Sequence, residues 1–125
     1  MCFKYINKPS SYTPNFGLTI HLTGISTKAH LFEQLNVKLK FPEYFGHNWD
    51  ALYDCLKDFH WIEQKDILIV HDEVPQIDYE SFISYVLMLH DAIQDWEKDD
   101  LHKLFIVFPV ECESEIEGIL KNSAF

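Results

Sequence analysis

Residues 67–70, Ile-Leu-Ile-Val, set four aliphatic side chains in succession, and a strand built this way has no face left for water. Residues 103–110, KLFIVFPV, repeat the pattern, with Pro109 placed where a strand end tolerates it. A third segment, residues 18–23, alternates Leu18, Ile20 and Leu22 with Thr19, His21 and Thr23, the period of a strand with one better-buried face, and Gly24 ends it. Helical spacing fills the gaps between these segments. Strands separated by helices run parallel because each return needs a crossover, and strands apolar throughout need helices on both faces. The pattern predicts an α/β fold: a small three-stranded parallel sheet packed with helices, in the order β-α-α-β-α-β. The simplest arrangement puts the first of these strands in the middle.

Ser26 or Thr27 caps the first predicted helix, whose Leu31, Phe32, Leu35 and Leu39 line one face before Pro42 stops it. A loop, EYFGHN, follows with Gly46 as its flexible point, and Asn48 is the N-cap of a second helix over 49–59. There Leu52, Cys55, Leu56 and Phe59 stand at i, i+3, i+4 and i+7 and face the core, while Asp50, Asp54, Lys57 and Asp58 fall outside that stripe. Asp78 caps a third helix in which Tyr79, Phe82, Ile83, Val86, Leu89, Ile93 and Trp96 keep helical spacing for five turns. Residues 1–17, with Pro9, Pro14 and Gly17, read as a loose or weakly paired leader. Residues 18–110 form the folded domain. Residues 111–125 are an acidic extension in which Glu111, Glu113, Glu115 and Glu117 make a solvated face or a short amphipathic tail.

A chain of 125 residues, 47% apolar and 24% charged, suits one globular domain. Its charge narrows the partners. Ten lysines and no arginine oppose 20 carboxylates, a net charge of −10, and all but one of the carboxylates lie after residue 40. A nucleic-acid binder needs the reverse balance to displace counterions from phosphates, so the expected partners are cationic, although charge also serves plain solubility. No apolar run is long enough for a membrane helix, and the start, MCFKYINKPS, lacks the apolar stretch of a secretory signal, which places the expectation in the cytoplasm. Cys2, Cys55 and Cys112 are an odd number at unrelated spacings and fit neither a disulfide framework nor a zinc site. With no HExxH, phosphate loop or GxSxG, no cofactor is expected, and the free protein is expected to be a monomer.

Asp50 and Asp54 are one helical turn apart on the face opposite the core. Asp50 sits in the first turn, where the helix dipole favours a carboxylate; Asp54 lies too far along to share that benefit. Tyr53 lies between them, and Tyr44 and Phe45 precede them around Gly46. Carboxylates supply charge and exposed rings supply rigid apolar area, so this composition suits a surface for cations. A merely solvated helix face is the bland alternative. Two other classes stay open: a metal-dependent hydrolase built on His47, Asp50 and Asp54 at i, i+3 and i+7, and a general acidic module for another basic protein or toxin effector. The adjacent pairs His71-Asp72 and His90-Asp91 point apart on regular elements and suggest no dyad.

Residues 41–56, FPEYFGHNWDALYDCL, closely resemble the signature of the barstar family: Pro-Glu-aromatic-aromatic-Gly, then Asn, then Asp-Ala-Leu-aromatic-Asp-Cys-Leu. The weaker likeness outside this segment extends over residues 18–110. The resemblance implies a three-stranded parallel sheet with helices and a role, not enzymatic, as an intracellular inhibitor of a barnase-like or other basic extracellular ribonuclease or toxin. It further implies that Asp54 is the main anchor, standing where a substrate phosphate sits in the nuclease. Asp50 would engage the rim, Tyr44 would stack on a catalytic His, Tyr53 and Gly46 would complete the contact, and Asp91 would add an acidic rim contact from the third helix. Lys57 departs from the pattern, taking a place where the family's contact helix usually has a neutral residue. At i+3 from Asp54, its cation is expected to neutralise Asp54 or repel a basic cleft.

Overall fold

The three apolar segments form strands where their periodicity puts them, and a fourth strand joins them at one edge. The computed structural model describes residues 3–15, 17–43 and 46–123. Strands β1 (Phe3–Ile6), β2 (Leu18–Leu22), β3 (Asp66–His71) and β4 (Lys103–Pro109) make one parallel sheet in the order β1-β4-β3-β2. Helices α1 (Lys28–Leu39), α2 (Trp49–Leu56), α3 (Tyr79–Glu97) and α4 (Glu113–Asn122) complete the chain, with short 3₁₀ turns at Pro9–Ser11 and Val110–Cys112.

Two expectations about the sheet are corrected. It has four strands rather than three, because the supposed leader supplies β1, whose Phe3 pairs with Ile106 and Ile6 with Pro109. The first of the three expected strands, β2, lies at an edge; the central pair is β3 and β4. The cause is the sense of the crossovers. From β2 to β3 to β4 the chain steps one strand at a time in one direction, so right-handed crossovers put their helices on one face. The step from β1 to β2 runs the opposite way over two strands, and the same rule sends that connection across the other face.

The packing agrees. One buried cluster joins Phe3, Ile20, Leu22, Ile67, Ile69, Leu104, Ile106 and Phe108 of the strands to the inward faces of all four helices. On the opposite face Leu68, Val70 and Val107 meet Ile6 and Tyr12, and the Pro9–Ser11 turn lies against β3 and β4. Helices on both faces are the expectation; among the described residues the Pro9–Ser11 turn and Tyr12, from the connection between β1 and β2, cover the second face instead. Gly17 closes that connection with φ +57°, and a Cβ there would collide with the Asp66 carbonyl oxygen, so both the turn and the close approach require glycine.

The acidic extension is also part of the packing. Ile116 and Ile119 of α4 are buried in the main cluster, while Glu113, Glu115 and Glu117 face outward, as an amphipathic segment should. Tyr5 on β1 donates its hydroxyl proton to Glu117 Oε2 at 2.6 Å, and burial together with that carboxylate raises the phenol pKa well above its ordinary value. Strand β1 and helix α4 are thereby fastened to each other.

The outer edge of β2 is closed by α1. Gln34 takes the part of a neighbouring strand for Thr23, accepting from its N–H at 3.1 Å and donating to its carbonyl at 2.5 Å, while the Lys38 ammonium donates to the His21 carbonyl. An edge blunted this way offers little template for another chain. His71, at the end of β3, is buried between strands and α3. Its Nδ1 lies 2.9 Å from the Val107 carbonyl oxygen, its Nε2 lies 2.6 Å from the Tyr85 hydroxyl, and its ring stacks on Phe108 at 3.9 Å. Asp72 turns the other way and meets His21 Nδ1 at 2.6 Å, so the two neighbours do point apart.

Candidate functional site

Helix α2 is fixed on three sides. Asn48 caps it, Oδ1 accepting from the Ala51 N–H at 2.8 Å, and Leu52, Cys55 and Leu56 are buried against the core. Trp49 packs edge-on against Phe32 at 4.9 Å. The Trp96 indole N–H of α3 donates to the Leu56 carbonyl at 2.7 Å, tying down the last turn. The helix ends at Leu56, not at residue 59 as its apolar spacing suggests. Lys57 is the C-cap, and Phe59, at φ +51°, is turned into the core to stack on Trp96 at 5.9 Å. Replacing Asn48 with alanine is expected to lower unfolding stability by about 1 kcal/mol, since one N–H of the first turn loses its acceptor. Urea denaturation should show a lower midpoint with an unchanged slope.

The face turned away from the core carries Asp50, Tyr53, Asp54 and Lys57 at i, i+3, i+4 and i+7, a single stripe. Asp50 and Asp54 are exposed, and neither makes an ion pair or side-chain hydrogen bond among the described residues. Both carboxylates are therefore presented to an incoming surface without a competitor among the described residues. Cys55, between them and the core, is a buried thiol whose pKa desolvation pushes up to about 11, so it remains protonated and inert.

Tyr53 and Lys57 are engaged with α3. The Tyr53 hydroxyl donates to Asp91 Oδ2 and accepts from Lys57 Nζ at 3.0 Å. The Lys57 ammonium stands 2.9 Å from Asp95 Oδ2 and 4.3 Å above the Tyr53 ring. The chain of groups runs carboxylate, ammonium, phenol, carboxylate, each donor facing an acceptor. Electrostatics follows the geometry: Asp95 holds the Lys57 pKa up, Lys57 holds Asp95 down, and the Asp91 carboxylate raises the Tyr53 phenol against a smaller opposing effect of Lys57. The expectation that Lys57 acts on Asp54 is corrected. Asp95 is the nearer and better-placed carboxylate, because α2 and α3 lie side by side. Between them an open hollow is lined by Trp49, Asp50, Tyr53, Leu87, Met88 and Asp91, two carboxylates and two rings around an aliphatic floor.

The structure thus brings Asp50, Tyr53, Asp54 and Asp91 onto one surface, with Gly46 exposed at the helix start. Tyr44 and Phe45 lie outside the described residues. Among the described residues of the loop, His47 is left-handed, at φ +54°; histidine is among the side chains that tolerate that region. His47 Nε2 is 3.5 Å from Glu33 Oε2. Among the described residues no three His, Cys, Asp or Glu side chains converge as a metal site would require, so His47, Asp50 and Asp54 do not assemble into one. Asp95 and its partnership with Lys57 were missed by sequence reasoning. The one available signal was that Asp91 and Asp95 repeat at i, i+4 on the helix that must flank α2.

A model of the family described as "Barstar (barnase inhibitor)" matches residues 16–109. The chain belongs to the barstar family. It is also 34% identical over 71 residues to a protein of Bacillus subtilis (strain 168) named "Putative ribonuclease inhibitor YrdF", an alignment spanning 56% of this chain and 76% of the relative. The barstar match begins just before β2 and ends with β4, so it contains three of the four strands and the whole α2–α3 face, and leaves β1 and α4 outside. No helix is long and apolar enough to cross a membrane among the described residues.

Proposed function

We propose that this protein is an inhibitor, not an enzyme, and that it blocks a basic ribonuclease by laying α2 and the preceding loop into the nuclease's active-site cleft. The observation that carries the reading is the pair of exposed carboxylates, Asp50 and Asp54, unpaired among the described residues and one turn apart on a helix locked at both ends. A ribonuclease must concentrate Arg and Lys to bind RNA phosphates. Charge-assisted hydrogen bonds from those groups to Asp54 imitate a phosphate contact while offering no bond to cleave. Asp50 meets the rim, and the hollow beside it seats the aliphatic stem and cation of a rim side chain between Asp50 and Asp91. Tyr44 and Gly46 extend the contact along the loop. A cytoplasmic site of action fits an inhibitor that protects a cell making such a nuclease.

The reading is tested by titrating barnase with the protein and following RNA cleavage at low and at physiological salt. Stoichiometric inhibition that weakens as salt rises is expected, because screening shortens the reach of the exposed carboxylates. The barnase–barstar pair is itself a standard example of electrostatically steered association, so this salt behaviour is carried over from the family. Absence of inhibition at low salt and large molar excess would refute a barnase-like target.

A further inference from the structure

Lys57 continues the stripe of Asp50, Tyr53 and Asp54 by one further turn and is the cation at the end of an acidic face. Its position is not loose. It is held by Asp95 at 2.9 Å, donates to the Tyr53 hydroxyl at 3.0 Å and sits over the Tyr53 ring, while Tyr53 in turn donates to Asp91. The Lys57 and Asp95 side chains remain 32% and 41% exposed, so an approaching surface still feels both. We infer that Lys57 is a specificity-determining residue: by neutralising Asp95 and fixing Tyr53, it confines the negative charge offered to a target to Asp50, Asp54 and Asp91, and selects a ribonuclease whose surface opposite the Lys57–Asp95 end of the α2–α3 seam is neutral or acidic. The inference rests on the inhibitor reading above.

The physical argument is one of unfavourable juxtaposition. A nuclease with a basic rim opposite the Lys57–Asp95 end of the seam would bring its cation against the Lys57 ammonium, and the Asp95 carboxylate that could have received it is already occupied. A nuclease with a neutral or acidic rim there meets a half-exposed, rigidly held ammonium and a tyrosine whose ring needs no reordering on binding. Removing the lysine would release Asp95 and add negative charge to the face. Removing Asp95 would do the opposite and uncover a cation.

Barnase serves as the probe of a basic rim, with inhibition constants measured at two salt concentrations for the wild-type protein, Lys57→Thr, Lys57→Gln, Asp95→Ser, Lys57→Thr with Asp95→Ser, and Asp54→Ala. Both lysine variants are expected to bind about threefold to tenfold tighter than wild type, with the gain shrinking at high salt. Asp95→Ser should bind weaker by a similar factor, and the double variant should return near wild type. A merely structural role would weaken every one of these variants by loosening the seam, so opposite signs for Lys57→Gln and Asp95→Ser are the deciding readout. Unchanged or weaker binding by Lys57→Gln, with inhibition still lost in Asp54→Ala, overturns the inference and leaves the helix plug standing. Binding by Lys57→Gln where wild type binds not at all would support it in its strongest form. Equal inhibition by Asp54→Ala and wild type, or no binding by any variant, would remove the plug and the inference together.

Discussion

Asp54→Ala is expected to weaken binding to a barnase-like ribonuclease by at least about thirtyfold, the consequence of losing roughly 2 kcal/mol or more from a desolvated interface anchor. The barstar family itself supplies an extreme example of such a loss, whereas this lower bound is the one general to interface hot spots. Two features of this chain argue for a large effect. The carboxylate is exposed and has no partner among the described residues to satisfy it, so its binding energy is not spent on them. Its helix is capped by Asn48 and pinned by Trp96, so little ordering is needed on contact. Because Asp54 faces away from the core, the variant should unfold at the same urea concentration as wild type, within about 0.5 kcal/mol. Glu115→Ala is the control: it removes an equal charge from an exposed position on α4, and its effect should be limited to the mild loss of long-range attraction. Equal weakening by both substitutions would mean that net charge, not the α2 face, drives association.

Much of the fold was legible because the informative contacts were local or periodic. The run at residues 67–70 announced β3, the spacing of Tyr79, Phe82, Val86, Leu89, Ile93 and Trp96 announced α3, and Thr27, Asn48 and Asp78 each cap the helix they precede, accepting from the N–H three residues on. Strand β1 was not legible for a physical reason. Four residues, FKYI, pair on one side only, and the strand that fixes their register, β4, comes from the opposite end of the chain. The number of strands then sets the direction of the first crossover, and with it the face covered by irregular chain. One missed strand thus changed the predicted cover of a whole face of the sheet.

The site divides in the same way. Helical phase alone put Asp50, Tyr53 and Asp54 on one face, but phase cannot say which of two carboxylates an intervening lysine will choose. Lys57 has Asp54 at i−3 on its own helix and Asp95 on the adjacent one, and the tertiary partner wins. The reason is geometric. The C-terminal position of Lys57 sends its long side chain across the seam, where Tyr53 and Asp95 together satisfy two of its donors. A charge that reads in sequence as a defect of the acidic face becomes a rivet between two helices.

The second large effect concerns stability rather than binding, and it comes from His71, an imidazole sealed inside the fold. The Val107 carbonyl can only accept, so His71 Nδ1 carries the proton and Nε2 is left to accept from the Tyr85 hydroxyl, which fixes a neutral tautomer. Burial pushes the His71 pKa down to about 4, against which the Val107 hydrogen bond is a smaller opposing influence. An unfolded histidine titrates near pH 6.5, so below that the unfolded chain binds a proton that the native state refuses. Stability from this group is fully present above about pH 6.5. It should fall by about 1.4 kcal/mol per pH unit as pH drops toward 4, and flatten once the native imidazole also protonates. Urea unfolding at a series of pH values should show this slope before most carboxylates titrate. His71→Asn keeps a donor for the Val107 carbonyl and removes the titration, so its stability, lower at neutral pH, should vary less between pH 6.5 and 4.5 than that of wild type. Proton NMR offers the direct check: the His71 ring resonances should hold their neutral position down to about pH 5. If they move near pH 6.5 instead, the imidazole is not sealed against Tyr85 and Phe108 in solution.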